Sequence, residues 1–334
     1  MTTDMVSNDY RAVLENYLSN EQNRKYSAPV LKMLLRQRFR GGVYVIGRGS
    51  ESSKFSENDL YAKPFEICES LVAYLRNKRE YDASVIPTII SSEQAPNFRI
   101  QEMEPDEETL WRFLYLLITG LHYREIVVNL DNVPLELFQI FRDTLIREEY
   151  LVFGERLTGL NMSKMLSGLK APKMPPKEFI LSFLVLTYFV KFWKDIKQKK
   201  EKLESLPSAM RMMEYPPISD NATLIVFTIP RGKKQMFVFP RLQSLITRWY
   251  KKYSDDVPAV ARFVFSLYIS DKKYQDKSLE TLNKFLYYLL RNEVNGDLLN
   301  KLVVDKLSYE LKKEGKPYGI ANILQFLESL QFYE

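Results

Sequence analysis

The stretch ATLIVFTIPRGKKQMFVFPRL, Ala222 to Leu242, carries the plainest β signal in the chain, and the rest is read outward from it. Two β-rich runs, Leu224–Ile229 and Gln235–Phe239, flank Pro230-Arg231-Gly232-Lys233-Lys234, where Pro and Gly supply a turn. The segment predicts a β-hairpin tipped with three cations, Arg231, Lys233 and Lys234. Just before it, Lys177 to Leu206 is the longest periodic segment. Its first half, FILSFLVLTYFVKFW, is apolar nearly all round, and its second half, KDIKQKKEKLE, is basic through Lys194, Lys197, Lys199, Lys200 and Lys202. The uncharged run from Phe179 to Val190 has 12 residues. A membrane span needs about 20, so the expectation is a buried helix that runs out of the core to a cationic end. After the hairpin every segment has helical spacing, over about 241–252, 257–270, 279–292, 297–314 and 319–332, which predicts an antiparallel helical bundle.

Upstream, the opening predicts two helices, about Tyr10–Asn20 and Pro29–Phe39. Pro29 suits a first helical position, and Gly41-Gly42 suits an exit. VYVI, Val43 to Ile46, predicts a short strand ending in the turn Gly47-Arg48-Gly49-Ser50. Helical spacing returns between about Leu60 and Arg79, with Phe65, Cys68, Leu71, Val72 and Leu75 as the apolar positions. SVIPTII, Ser84 to Ile90, reads as an edge strand because Pro87 cannot donate to a ladder, and an acidic loop follows it. Asp106–Leu121 predicts a helix with carboxylates in its first turn, where the dipole favours them. Val133–Tyr150 predicts another, and Leu151–Pro176 has the turn residues of a connection.

The fold class expected is therefore α+β and mainly helical, in three parts. Residues 1–170 form a mixed α/β N-terminal domain, 177–240 the long helix with the basic β-hairpin, and 241–334 the helical bundle. A length of 334 residues leaves room for about two independently packed cores. Twelve glycines are few for that length, which disfavours folds built on repeated glycine loops, while 21 Tyr and 20 Phe point to a packed interior.

One Cys (Cys68) and one His (His122) leave no disulfide within the chain and no Cys/His zinc site from one chain. Ser-His-Asp and Cys-His catalysis lose their support for the same reason. The start, MTTDMVSNDY, has neither a basic n-region nor an apolar h-region, so a cytoplasmic protein without a secretory signal is expected.

Charge is segregated. The chain carries 48 basic and 42 acidic side chains, and residues 161–240 alone hold 14 and 6. Residues 1–160 are acidic on balance, with 19 basic and 24 acidic, yet between Glu21 and Glu51 lie Arg24, Lys25, Lys32, Arg36, Arg38, Arg40 and Arg48 with no carboxylate among them. Glu93 to Glu108 is the acidic counterweight. Such patches suit polyanions, because each cation near a phosphate releases condensed counterions; a solvated helix face is the ordinary alternative for any one run.

Gly47-Arg48-Gly49-Ser50 spells half of a phosphate-cradling loop, without the third glycine or the following lysine, so a plain strand exit is favoured. A carboxylate-metal nuclease needs acids converging on Mg²⁺. Glu310 with Lys312 and Asp271 with Lys273 have the local spelling, but Asp305 and Glu310 fall on different sides of one expected helix. His122 reads as a structural cap. No catalytic residue, cofactor or metal is expected. The residues expected to meet nucleic acid are the hairpin cations Arg231, Lys233 and Lys234, the helix-end lysines Lys194, Lys197, Lys199 and Lys200, and Arg36, Arg38, Arg40 and Arg48, the last group interleaved with Tyr26, Phe39 and Tyr44.

The succession FVFSLYISDKKYQDKSLETLNKFLYYLLRNEVNGDLLNKLVVDKLSYELKKEGKPYGIANILQFLESL, with the basic hairpin before it, resembles the large subunit of the archaeal type I-A CRISPR surveillance complex (archaeal Cascade), the Cas-eight family. The resemblance covers about residues 240–330 and is a pattern of helices rather than a catalytic motif. It implies a non-catalytic, DNA-binding and RNA-binding role in antiviral defence. That role comprises contact with the guide-RNA handle, recognition of the PAM in target DNA, docking beside the backbone, handle-binding and small subunits, and recruitment of the helicase-nuclease, with no membrane involved. The guide RNA would then read the target sequence and the protein the PAM alone. Some members carry zinc-binding cysteines, whereas this chain has Cys68 only. Two other readings stand beside it: a metal-dependent nuclease of a CRISPR system using acids such as Asp305 and Glu310, and a scaffold that binds protein only.

Overall fold

Asp9 and Asn20 start the first two helices. The Asp9 carboxylate accepts from Ala12 N at the head of α1 (Tyr10–Ser19), and the Asn20 side chain accepts from Gln22 N and Asn23 N at the head of α2 (Glu21–Leu34). A cap at Asn20 starts the second helix well ahead of Pro29, the position the sequence suggested. Pro29 lies inside α2 on an exposed position. The computed structural model describes residues 9–47, 49–77, 85–91, 99–103, 106–123, 126–147, 151–152, 155–156, 223–229 and 234–239, with residues 193, 197, 204 and 211. It divides into two units, Met1–Asp131 with Ile225–Val238, and Asn132–Leu224 with Phe239–Glu334.

In the first unit a short 3₁₀ turn, Arg36–Arg38, follows α2 and leads into a three-stranded sheet of β1 (Phe39–Arg40), β2 (Val43–Ile46) and β3 (Ser53–Phe55). Gly41-Gly42 is not a helix exit. Both residues have positive φ (57° and 86°) and join Arg40 to its partner Val43 as a two-residue hairpin turn, a geometry that glycine adopts without strain. After β3 come α3 (Asp59–Ala62) and α4 (Pro64–Arg76), where the sequence suggested one helix. Pro64, at the first helical position, restarts the chain. Cys68, Leu71, Val72 and Leu75 are buried along α4 as the spacing predicted, and burial pushes the Cys68 thiol pKa well above its ordinary value.

The larger sheet adds β4 (Thr88–Ser91), β5 (Arg99–Glu102), β6 (Leu121–Tyr123), β7 (Ile126–Asp131), β10 (Thr223–Thr228) and β11 (Gln235–Phe239), in the order β5-β4-β11-β10-β7-β6. Its register is set by antiparallel β4/β5 and β6/β7 pairs and by a parallel β11/β4 pair running from Gln235↔Thr88 to Val238↔Ser91. The hairpin that opened the sequence reading thus forms the two middle strands of this sheet. Ile225–Val238, which holds most of both strands, belongs to the first unit, and most of the rest of the segment 177–240 lies outside the described residues. β4 is an interior strand and not an edge. Pro87 precedes its first residue and so removes no ladder donor from it. Part of the expected acidic loop is the edge strand β5, and the IVVNLD run of β7, every residue of it buried, is a strand the sequence reading did not single out.

Between β5 and β6 runs α5 (Glu107–Thr119), capped by the Asp106 carboxylate on Thr109 N. It is buried on nearly every side, through Leu110, Trp111, Phe113, Leu114, Leu116, Leu117, Ile118 and Thr119, because α1, α2 and α4 pack on it and it packs on β7. Phe113 meets Phe227 of β10 edge to face at 5.8 Å, which ties the helix to the centre of the sheet.

The junction from α5 to β6 and β7 is held by polar groups. The buried Asn129 amide donates to Leu116 O (2.7 Å), one of the last-turn carbonyls that a helix leaves unserved, and to Thr119 Oγ1 (2.9 Å). The Tyr26 hydroxyl donates to Gly120 O and accepts from His122 N, both at 3.2 Å. His122 is therefore a strand residue of β6 packed on Tyr26 at 4.5 Å, and not a helix cap. A side chain at Gly120 would stand 2.6 Å from Val127 Cγ1, so the close approach of helix end and strand requires glycine there.

In the second unit, α6 (Leu135–Arg147) buries Leu137, Phe138 and Phe141, and β8 (Leu151–Val152) pairs with β9 (Glu155–Arg156). The described parts are thus a mixed helix and sheet protein of the α+β kind. Among the described residues no helix is long and apolar enough to cross a membrane. The apolar run 179–190 and the helices expected over 241–334 lie outside the described residues.

Candidate nucleic-acid interface

The three-stranded sheet has two unlike faces, and its register explains why. Tyr44 pairs with Phe39 on one side and Phe55 on the other, while Val43 pairs with Arg40 and Val45 with Lys54. Side chains alternate along a strand. Tyr44, Ile46 and Phe55 are therefore buried on one face, and Arg40, Val43, Val45 and Lys54 share the other, with Arg40 and Lys54 exposed. Two strand spacings and a two-residue offset set the Cα atoms of these cations about 12 Å apart. Arg36, exposed on the preceding 3₁₀ turn, extends the basic edge.

Neighbouring cations on this unit are neutralised. Arg11 pairs with Glu69 (2.6 Å), Lys25 with Glu21 (2.5 Å), Lys63 with Glu66 (3.2 Å) and Arg76 with Glu107 (2.5 Å). Lys32 pairs with Glu57, and the hydrogen bond that its ammonium donates to that carboxylate holds the Lys32 pKa above its ordinary value. Burial pushes the Tyr44 phenol up, so it stays neutral beneath the sheet. Among the described residues no carboxylate pairs with Arg40 or Lys54. The Asp59 carboxylate, the next acid after Glu57, accepts from Ser56 Oγ and Ser56 N, which lowers its pKa and commits it to the turn.

Only part of the expected binding set meets here. Arg36 and Arg40 are exposed, but Arg38 is half-buried with its guanidinium 4.6 Å from the Tyr74 ring centre, a packing role. Lys234 is 3% exposed and lines the same apolar crevice as Leu34, Pro87, Phe113 and Phe227, while its carbonyl accepts from Thr88 N at 3.0 Å. It does not project from a hairpin tip, because it is held against β4 at the start of β11. Lys197 turns back within the second unit, donating to Arg211 O at 2.8 Å with its ammonium 5.6 Å from the buried Trp193 ring. Arg48, Lys194, Lys199, Lys200, Arg231 and Lys233 lie outside the described residues, as do Asp305 and Glu310.

Of the interleaved aromatics, Tyr26 and Tyr44 are structural and Phe39 is 46% exposed. Gly47 to Ser50 leads from β2 through a 3₁₀ turn, Gly49–Glu51, into β3. No α-helix N-terminus follows the loop, as a phosphate cradle would require. Lys54 is the residue the sequence reading missed. The Gly41-Gly42 turn signals only the pairing of β1 with β2, and Lys54 reaches the face through the pairing of β3 with β2. Among the described residues no group of three or more potential metal ligands converges. No protein-family model, curated protein sequence or solved structure matches the chain.

Proposed function

We propose that this chain is a non-catalytic nucleic-acid-binding protein, serving as the large subunit of an RNA-guided CRISPR interference complex of the archaeal type I-A kind. The observation that carries nucleic-acid binding is the face of the small sheet, where Arg40 and Lys54 stand exposed without a carboxylate partner while the cations around them are paired. Unpaired cations on a common face suit a phosphate backbone, which rewards each contact by counterion release and reads no sequence. The finer assignment rests on the resemblance over residues 240–330. It carries with it a C-terminal helical bundle, contact with the guide-RNA handle and PAM-bearing target DNA, the neighbouring subunits, recruitment of the helicase-nuclease and a cytoplasmic setting.

Co-expression with type I-A backbone subunits and a guide RNA, followed by photocrosslinking of the purified assembly, tests both levels. The expected outcome is a stable assembly in which peptides spanning residues 36–54 crosslink to RNA or target DNA. Absence of the chain from the assembly contradicts the complex. Crosslinks confined to other peptides contradict the interface.

A further inference from the structure

We infer that the rim of the small sheet takes single-stranded nucleic acid, with an unpaired base stacked on Phe39 and the adjoining phosphate held by Arg40. This rests on the reading of the sheet as a nucleic-acid interface and names the form of nucleic acid it takes.

β1 is an edge strand of two residues, so its side chains leave opposite faces of one rim, Phe39 in the row of Tyr44 and Arg40 in the row of Val43. Phe39 is 46% exposed. The Tyr44 ring, itself buried, lies 4.9 Å from the Phe39 ring at 55° and fixes its orientation. A braced aromatic with exposed surface, next to a cation, is the arrangement by which single-strand grooves hold bases. A single-stranded nucleotide can turn its base away from its phosphate and so reach a ring on one side of the rim and a guanidinium on the other. A duplex keeps its bases paired and stacked, and offers that ring nothing but backbone.

A protein partner fits less well. Phe39 and Tyr61 are the only large apolar side chains exposed among the described residues, which falls short of the contiguous apolar patch that marks protein interfaces.

The test uses the full chain with a labelled mixed-sequence 20-nucleotide strand and its duplex, titrated across a salt series. Phe39→Ala is expected to weaken single-strand binding roughly 5- to 150-fold while the dependence of log affinity on log salt keeps its slope, because stacking releases no counterions. The preference for single strand over duplex falls with it. Phe39→Trp restores the single-strand affinity. Single-strand binding unchanged in Phe39→Ala, or weakened equally for strand and duplex, overturns the inference. If Phe39→Ala is silent while the Arg40→Ala/Lys54→Ala double variant still flattens the salt slope, stacking alone is struck down. If the double variant leaves the slope as it was, the interface itself fails and the stacking site fails with it.

Discussion

Lys234 and Asn129 show how side chains of one polarity meet opposite fates. Lys234 sits in a run of cations that reads as a solvated turn, yet its carbonyl bonds to Thr88 N and its side chain is enclosed with Leu34, Pro87 and Phe227. A long aliphatic stem lets a lysine line such a crevice, and sequence alone does not say which lysine will. Asn129, a polar interruption in the buried strand IVVNLD, is kept because it serves the open carbonyl of Leu116. Asn129→Ala leaves that buried acceptor unpaired, and we expect a loss of about 1–3 kcal/mol in stability. A urea midpoint shifted down at unchanged slope is the corresponding reading. An unshifted midpoint would mean that water serves Leu116 O instead.

At the scale of elements, helical spacing was legible, and caps and strand neighbours were not. The start of α5 follows from Asp106 and the acids behind it, and α1 and α4 follow from apolar positions three and four apart. α2 was placed late because Pro29 looked like a beginning, whereas the Asn20 cap satisfies two amides and begins the helix at Glu21. Single-residue patterns also hid β1 and β3, which are two and three residues long and exist through pairing with β2, and β7, which pairs with β6 and lies beside the distant β10. Asp106 gives the test here. Its carboxylate is held below its ordinary pKa by the hydrogen bonds from Thr109, so its stabilisation is complete above the unfolded carboxyl pKa of about 3.9 and disappears as acid titrates the folded form. Asp106→Ala should therefore cost about 1 kcal/mol at neutral pH, with the gap to the parent protein closing below about pH 4. Thermal unfolding at pH 7 and at pH 3 measures it, and an equal gap at both values would contradict the cap.

For the molecule as a whole, the hairpin read from Ala222 to Leu242 joins β7, about 100 residues earlier in the chain, and β4, about 150 residues earlier, and completes the middle of the first unit's sheet. Its β character was legible because alternation and turn residues are local. Its place in the sheet was not, since non-local pairing leaves no mark in the segment itself. The same holds for the interface. The run of cations between Glu21 and Glu51 was legible, but which of them remain unpaired depended on Glu57, supplied from beyond that run, and Lys54 joined the face only through β2.

The central claim is that Arg40 and Lys54 hold a polyphosphate strand, and the salt dependence of nucleic-acid affinity tests it most directly. Removing both cations with Arg40→Ala/Lys54→Ala should make the slope of log affinity against log salt shallower by about 1.8 on duplex DNA and about 1.4 on a single strand. The matched Lys32→Ala/Lys63→Ala variant removes two cations already paired with Glu57 and Glu66 and should change it far less. Equal slopes for the parent protein and the Arg40→Ala/Lys54→Ala variant would contradict the account.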